Sequence, residues 1–224
     1  MSTSSNALKS FRDSFRRFVP GLFVLGKGLT LIYSKRSFLR TSGYFKSVAT
    51  KRPCRADGTP IPWMNYGAVS FLEQRLTDDL EVFEYGSGNS TIFIANLVKH
   101  ITAVECDQGW SDYVKGILPS NANVVFCAKG DAGYVDSIAE QGKPFDVVIV
   151  DAEERPRCLV NAADHLTDRG VVILDDAARD EYQAATQTMR EKGFRVLPLD
   201  GMKAGGIKTY QTTIFYRDGN CLGL

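Results

Sequence analysis

Apolar and polar positions change rhythm along this 224-residue chain. From residue 81 onward, short and nearly continuous apolar runs alternate with stretches in which apolar residues recur every three or four positions. The runs Glu81–Tyr85, His100–Val104, Asn123–Cys127, Phe145–Val150 and Gly170–Leu174 read as strands covered on both faces, and Phe194–Leu199 and Tyr210–Tyr216 follow them. Helical spacing fills the intervals. It runs over Ala68–Leu80, with Val69, Phe71, Leu72 and Leu76 as its stripe, then Ile92–Val98, Trp110–Ile117, Tyr134–Gln141, Arg157–Leu166 and Asp180–Lys192. This alternation predicts an α/β fold, a doubly wound and mostly parallel sheet of seven strands joined by right-handed crossovers. Only the Asp200–Thr209 loop separates the last two strands, which therefore form a terminal antiparallel hairpin.

The first fifty residues follow a different pattern. Phe11, Phe15 and Phe18 stand at helical spacing among basic residues, and an apolar run from Phe18 to Tyr33 follows, interrupted by Lys27 and several glycines. A helix needs roughly 20 apolar residues to cross a bilayer, so this run is too short and too broken for a span. Charge sharpens the contrast. Residues 1–52 carry eleven Lys or Arg against the single acid Asp13, whereas the rest of the chain carries sixteen bases against twenty-five acids, so that a net charge of +1 conceals a basic arm on an acidic body. The division is residues 1–52 as the arm and 53–224 as the folded domain. Residues 1–40 suit an in-plane anchor on an anionic membrane surface, or equally a helical arm packed on the body or on a second subunit. The acidic body argues against nucleic acid as the partner. Five cysteines without C-x-x-C spacing read as reduced thiols, and no cleavage site follows the apolar run, which places the protein in the cytoplasm, peripheral to the inner face of the membrane if the arm is an anchor.

The most informative stretch is Phe83-Glu84-Tyr85-Gly86-Ser87-Gly88-Asn89-Ser90-Thr91, a strand that runs into two glycines and then into a helix start. Gly86 and Gly88 permit positive φ and close approach of a ligand to the backbone, while Ser90 or Thr91 can cap the helix. The next strand ends in Glu105, where doubly wound folds grip a ribose diol. Thr91 stands where a dinucleotide fingerprint would have its third glycine, which disfavours a hydride-transfer cofactor.

Together with Gly130-Asp131, Val150-Asp151-Ala152 and the terminal hairpin, these residues resemble the class I S-adenosylmethionine-dependent methyltransferases over about residues 68–217. Pro60-Ile61-Pro62-Trp63 upstream and Leu174-Asp175-Asp176-Ala177-Ala178-Arg179 downstream look like bacterial enzymes that tailor glycans and natural products. The resemblance implies a Rossmann-like fold and S-adenosyl-L-methionine as cofactor. Glu84 would hold the ammonium of its methionine end above the turn of Gly86, Ser87, Gly88 and Ser90. Glu105 would take the ribose hydroxyls, and Asp131 with Ala132 the adenine. The implied activity is O-methylation of a hydroxyl on a glycan, lipid-linked or natural-product acceptor.

The reacting centre then falls at the carboxyl ends of the fourth and fifth strands, where Asp151, Asp175 and Asp176 gather. Two roles are open for them. Oxygen-only ligands suit Mg²⁺, which would hold an acceptor diol and acidify its hydroxyl. Alternatively Arg155, Arg157 or Arg179 neutralises the acids and Asp151 serves as general base, with Asp175 beside it. Trp63, Tyr66, Arg155 and Arg179 are the candidate acceptor contacts.

Overall fold

A computed structural model describes residues 19–128, 130 and 132–224, without the side chain of Ala132. Seven strands, β1 (Glu81–Tyr85), β2 (His100–Glu105), β3 (Ala122–Phe126), β4 (Phe145–Val150), β5 (Leu166–Leu174), β6 (Arg195–Gly201) and β7 (Tyr210–Tyr216), form one sheet in the order β3-β2-β1-β4-β5-β7-β6. The first five are parallel to one another and β7 is antiparallel to both β5 and β6. The doubly wound sheet with its terminal hairpin is thus as expected. The chain reverses its winding between β1 and β4, so β1, β2, β4 and β5 all discharge their loops on one edge, where a ligand crevice opens.

Alternation along each strand divides the core in two. Val82, Ile101, Val147, Ile149, Val171 and Ile173 pack on one face beneath α4 (Tyr66–Arg75) and α5 (Asn89–Ala95). Phe83, Tyr85, Val148, Val150, Val172 and Leu174 pack on the other beneath α8 (Arg155–Ala162) and α9 (Gln183–Glu191). Both faces are covered, which is why these strands lack polar alternation. Glu84 is the exception in β1. It shares the face of Val82, is 1% exposed, and lies beneath the start of α5.

Three local differences from the pattern have physical causes. β5 begins four residues early: Leu166 pairs with Phe145 of β4, and a register shift before Val147 meets Val171 leaves Asp168 and Arg169 exposed. Gly170 is required there: a Cβ would lie 2.6 Å from that of Leu166 and 3.0 Å from the Phe145 carbonyl oxygen. α4 stops at Arg75, where Leu76 turns extended and Thr77 hydrogen-bonds to Asp79 at 2.5 Å. Finally, the segment ahead of Trp63 is more helical than its loop-like composition suggests.

That segment contains α1 (Pro20–Tyr33), α2 (Phe38–Thr41) and α3 (Tyr44–Thr50). α3 is fastened to the body: Ser47 is buried, and its hydroxyl donates to the Cys54 carbonyl at 3.0 Å. Two shorter helices, α6 (Gln108–Lys115) and α7 (Ala132–Asp136), complete the numbering. No helix among the described residues is long and apolar enough to cross a membrane.

Candidate active site

At the end of β1 the chain makes the glycine turn. Gly86 has φ +101°, and an added Cβ would sit 2.6 Å from the Asp151 carbonyl oxygen, so both conformation and space demand glycine. Its amide donates to the Val104 carbonyl at 2.8 Å, tying the turn to β2. Gly88, with φ +152°, is the residue before α5, and a Cβ there would meet the Trp110 ring at 3.5 Å. The Trp110 indole donates to the Ser87 carbonyl at 2.9 Å and the ring is 41% exposed, so an aromatic wall stands over the turn.

Thr91 does not cap α5 in the ordinary way. Its hydroxyl accepts from the Gly88 amide at 3.0 Å and donates to Glu84 Oε2 at 2.6 Å, bridging the turn and the buried acid. Glu84 Oε1 is buried and makes no close hydrogen bond among the described residues. Burial pushes the Glu84 carboxyl up to about 7; the Ser90 and Thr91 hydroxyls pull against this and the charge of Glu105 adds to it. A buried carboxylate with one unsatisfied oxygen beside a glycine cradle fits a cationic group such as an ammonium.

Glu105 is also buried. Its Oε1 accepts from the Cys106 and Asp107 amides at 2.8 and 3.1 Å, which aims the carboxylate, and Oε2 accepts from the Ser87 hydroxyl at 2.8 Å. The carboxylate is therefore locked by the backbone of its own loop, with Oε2 turned toward the glycine turn. Asp131 lies outside the described residues, and Ala132 is placed only as the first residue of α7.

A cavity of about 170 Å³ opens over this turn, lined on one side by Ser87, Gly88, Ser90 and Trp110 and on the other by Trp63 and Asp151. Lys51, Arg52 and Tyr113 close its rim, Arg52 donating to the Tyr113 hydroxyl at 3.0 Å. The cavity thus brings Asp151 and Trp63 beside the glycine turn. It also includes Trp110, Lys51 and Arg52, which sequence reasoning did not select. An aromatic residue five positions past the acid at the end of β2 was the available signal for Trp110.

Two anticipated acceptor contacts are placed elsewhere. Tyr66 begins α4 and packs edge-on against Phe38 of α2 at 5.0 Å between ring centroids, facing the N-terminal segment. Arg179 is half exposed and lies beside Asp176 at 3.6 Å and over the Tyr182 ring. Neither lines the cavity over the turn.

The three acids do not converge as a metal site, and no group of three potential ligands is assembled among the described residues. Arg155 takes the place a cation would fill. It donates to Asp151 Oδ1 at 2.7 Å and to the Asp175 and Ala152 carbonyls, both at 2.9 Å, and approaches Asp176 at 3.7 Å. Asp175 turns the other way and accepts from the buried Thr212 hydroxyl at 2.7 Å, which in turn accepts from Asn65 at 3.1 Å. Asp176, held at φ +51°, pairs with Lys203 at 3.4 Å. Neighbours in sequence thus diverge in space; of the two roles open for the acids the arrangement supports neutralisation by arginine and gives Mg²⁺ no support. Arg155 belongs to that cluster. Burial and the charge of Asp175 push the Asp151 carboxyl up, against the pull of Arg155. Burial likewise raises the Asp175 carboxyl, which the Thr212 hydrogen bond opposes.

Near Trp63 the wall is double. The indole donates to the Ala204 carbonyl at 2.9 Å, Tyr66 N–H donates to the Met202 carbonyl at 3.0 Å, and Lys203 lies over the Tyr210 ring at 4.1 Å. The glycine-containing loop between β6 and β7 is therefore fastened to residues 63–66.

Sheet order, glycine turn and the acid at the end of β2 together define the fold of the class I S-adenosylmethionine-dependent methyltransferases. Solved structures agree at this level. The precorrin-6y C5,15-methyltransferase of Geobacter metallireducens superposes with a TM-score of 0.52 at 18% identity, covering 67% of this chain and 86% of that one. A methyltransferase of Pyrococcus furiosus superposes with a TM-score of 0.50 at 20% identity, covering 67% and 81%. No family model and no curated protein matches the sequence.

Proposed function

We propose that the protein is an S-adenosylmethionine-dependent O-methyltransferase acting on a hydroxyl of a small-molecule, glycan or lipid-linked acceptor. The observation that carries this reading is Glu84, a carboxyl buried under α5 with an unsatisfied oxygen at a turn where Gly86 admits no side chain. Glu84 would receive the methionine ammonium, Glu105 Oε2 the ribose diol in exchange for the Ser87 hydroxyl, and Trp110 one face of the ligand. Bound there, the cofactor supplies an electrophilic methyl group on a sulfonium sulfur.

The chain's own share of the chemistry is alignment and one proton. Trp63 and the fastened 201–206 loop wall off the acceptor side, holding a hydroxyl oxygen in line and excluding water. Arg155 holds Asp151 Oδ1, which leaves Oδ2 to take the acceptor's hydroxyl proton as that oxygen gains its methyl group. The raised affinity of Asp151 for a proton suits it to this role. Titration calorimetry with S-adenosylhomocysteine tests the cofactor half: the wild type binds, Glu105→Ala binds at least tenfold more weakly, and binding indifferent to that change defeats the reading.

A further inference from the structure

We propose that α1 and the basic segment behind it form a docking surface for an anionic phospholipid bilayer, lying in the plane of the interface. Not one of the fourteen residues of α1 is buried. Leu22, Leu25, Leu29 and Ile32, between 42% and 57% exposed, recur at three- and four-residue intervals and so share one face, while the exposed Val24 and Leu31 carry the apolar surface round to the side that bears Lys27, the one charge of the helix. At 1.5 Å per residue the helix is about 21 Å long, short of the roughly 30 Å hydrocarbon core, so it suits lying on a membrane rather than crossing it.

Charge identifies the occupant. Between residues 19 and 56 the chain has eight Lys or Arg and no acid. Lys35 and Arg36 follow α1 directly. Arg40 donates to the Ile32 carbonyl at 3.1 Å and lies over the Phe45 ring, fixing the end of α1 against α2 and α3. Phe38, Phe45 and Val48 extend the exposed apolar surface onto those helices. A second copy of the chain docked face to face would bring like charges together, whereas lipid phosphates complement them and acyl chains cover the leucines. The same basic segment ends in Lys51 and Arg52 at the rim of the cavity, so docking would hold the cavity mouth near the headgroups.

Flotation of the full chain with vesicles tests this directly. The chain is expected to partition onto mixed phosphatidylglycerol and phosphatidylcholine vesicles and far less onto phosphatidylcholine alone. Lys35→Ala with Arg36→Ala lowers partitioning about 30-fold, from about 1 kcal/mol per basic residue near the surface. Leu25→Glu with Leu29→Glu abolishes it, while circular dichroism and S-adenosylhomocysteine binding remain as in the wild type. Equal binding to both vesicle types, or partitioning unmoved by the leucine pair, overturns the proposal. A dimer by light scattering that the leucine pair dissociates, with no vesicle binding by the wild type, overturns it too and assigns the helix to a second copy.

Discussion

Replacing Glu84 by Gln probes the cofactor reading most sharply, because the wild-type carboxyl is set against its surroundings. An ordinary glutamate ionises near pH 4.5, and this one is pushed up to about 7. The sign follows from linkage. Below about pH 4.5 both folded and unfolded chains hold the proton, and no penalty exists. As pH rises to 7 the unfolded chain ionises first, so the ligand-free fold loses stability, and above 7 the loss is complete at about 3 kcal/mol. Glu84→Gln, which keeps the shape and removes the charge, should therefore melt higher than the wild type at pH 8 and gain little at pH 4.5. Ligand binding reverses the preference. A bound ammonium favours the carboxylate, so binding expels the proton, and affinity for S-adenosylhomocysteine should fall about eightfold between pH 7.5 and pH 6. Calorimetry in two buffers of different ionisation enthalpy would register about half a proton released at pH 7. In Glu84→Gln both the proton release and the pH slope vanish, and binding weakens by about 3 kcal/mol, as for a buried charge left unpaired. A wild-type affinity flat across that range, or a glutamine variant that binds as tightly, would refute the reasoning.

Other perturbations test the rest of the site. Gly86→Ala adds a Cβ 2.6 Å from the Asp151 carbonyl oxygen at φ +101°, and should lower stability by about 2–4 kcal/mol in urea titration with loss of ligand binding. Arg155→Ala leaves Asp151 without its cation, while Asp176 keeps Lys203, and should destabilise by roughly 2 kcal/mol above neutral pH, less in acid where the Asp151 carboxyl is protonated. Trp110→Ala removes a half-exposed ring over the turn and should weaken S-adenosylhomocysteine about tenfold with little change in melting temperature. Methyl transfer should be unmoved by EDTA and should rise with pH as Asp151 ionises, a slope that Asp151→Asn removes.

The bounds of β1, β4 and β7 were legible residue for residue because each ends its apolar stretch at a sharp polar or glycine signal, Gly86, Asp151 and Arg217 in turn. β5 was legible only in its second half: Asp168 and Arg169 are exposed, and the pairing of Leu166 with Phe145 depends on a register shift that no periodicity announces. In the site, the glycine turn and Glu105 were legible because they satisfy local backbone geometry. Thr91 was visible as a departure from a glycine motif but not as the partner of Glu84, since that contact crosses from helix to strand. The fate of the three acids was undecided for the same reason. Adjacent side chains leaving a strand end point to opposite sides, and whether an arginine or a metal meets them is settled by α8 folding back over the loop.

The fastening of the β6–β7 loop has an evolutionary corollary. Trp63 and Tyr66 hold it from one side, and Val48 of α3 lies within 3.7 Å of where a Gly205 side chain would begin. On the proposed reading the acceptor side is framed by residues that precede the sheet, and the same stretch reaches the donor side, since Lys51, Arg52 and Trp63 line the cavity over the glycine turn. Selectivity for the acceptor and grip on the donor would then be coupled through one stretch of chain. Grafting residues 44–66 between proteins of this fold should therefore move the choice of acceptor and the donor affinity together.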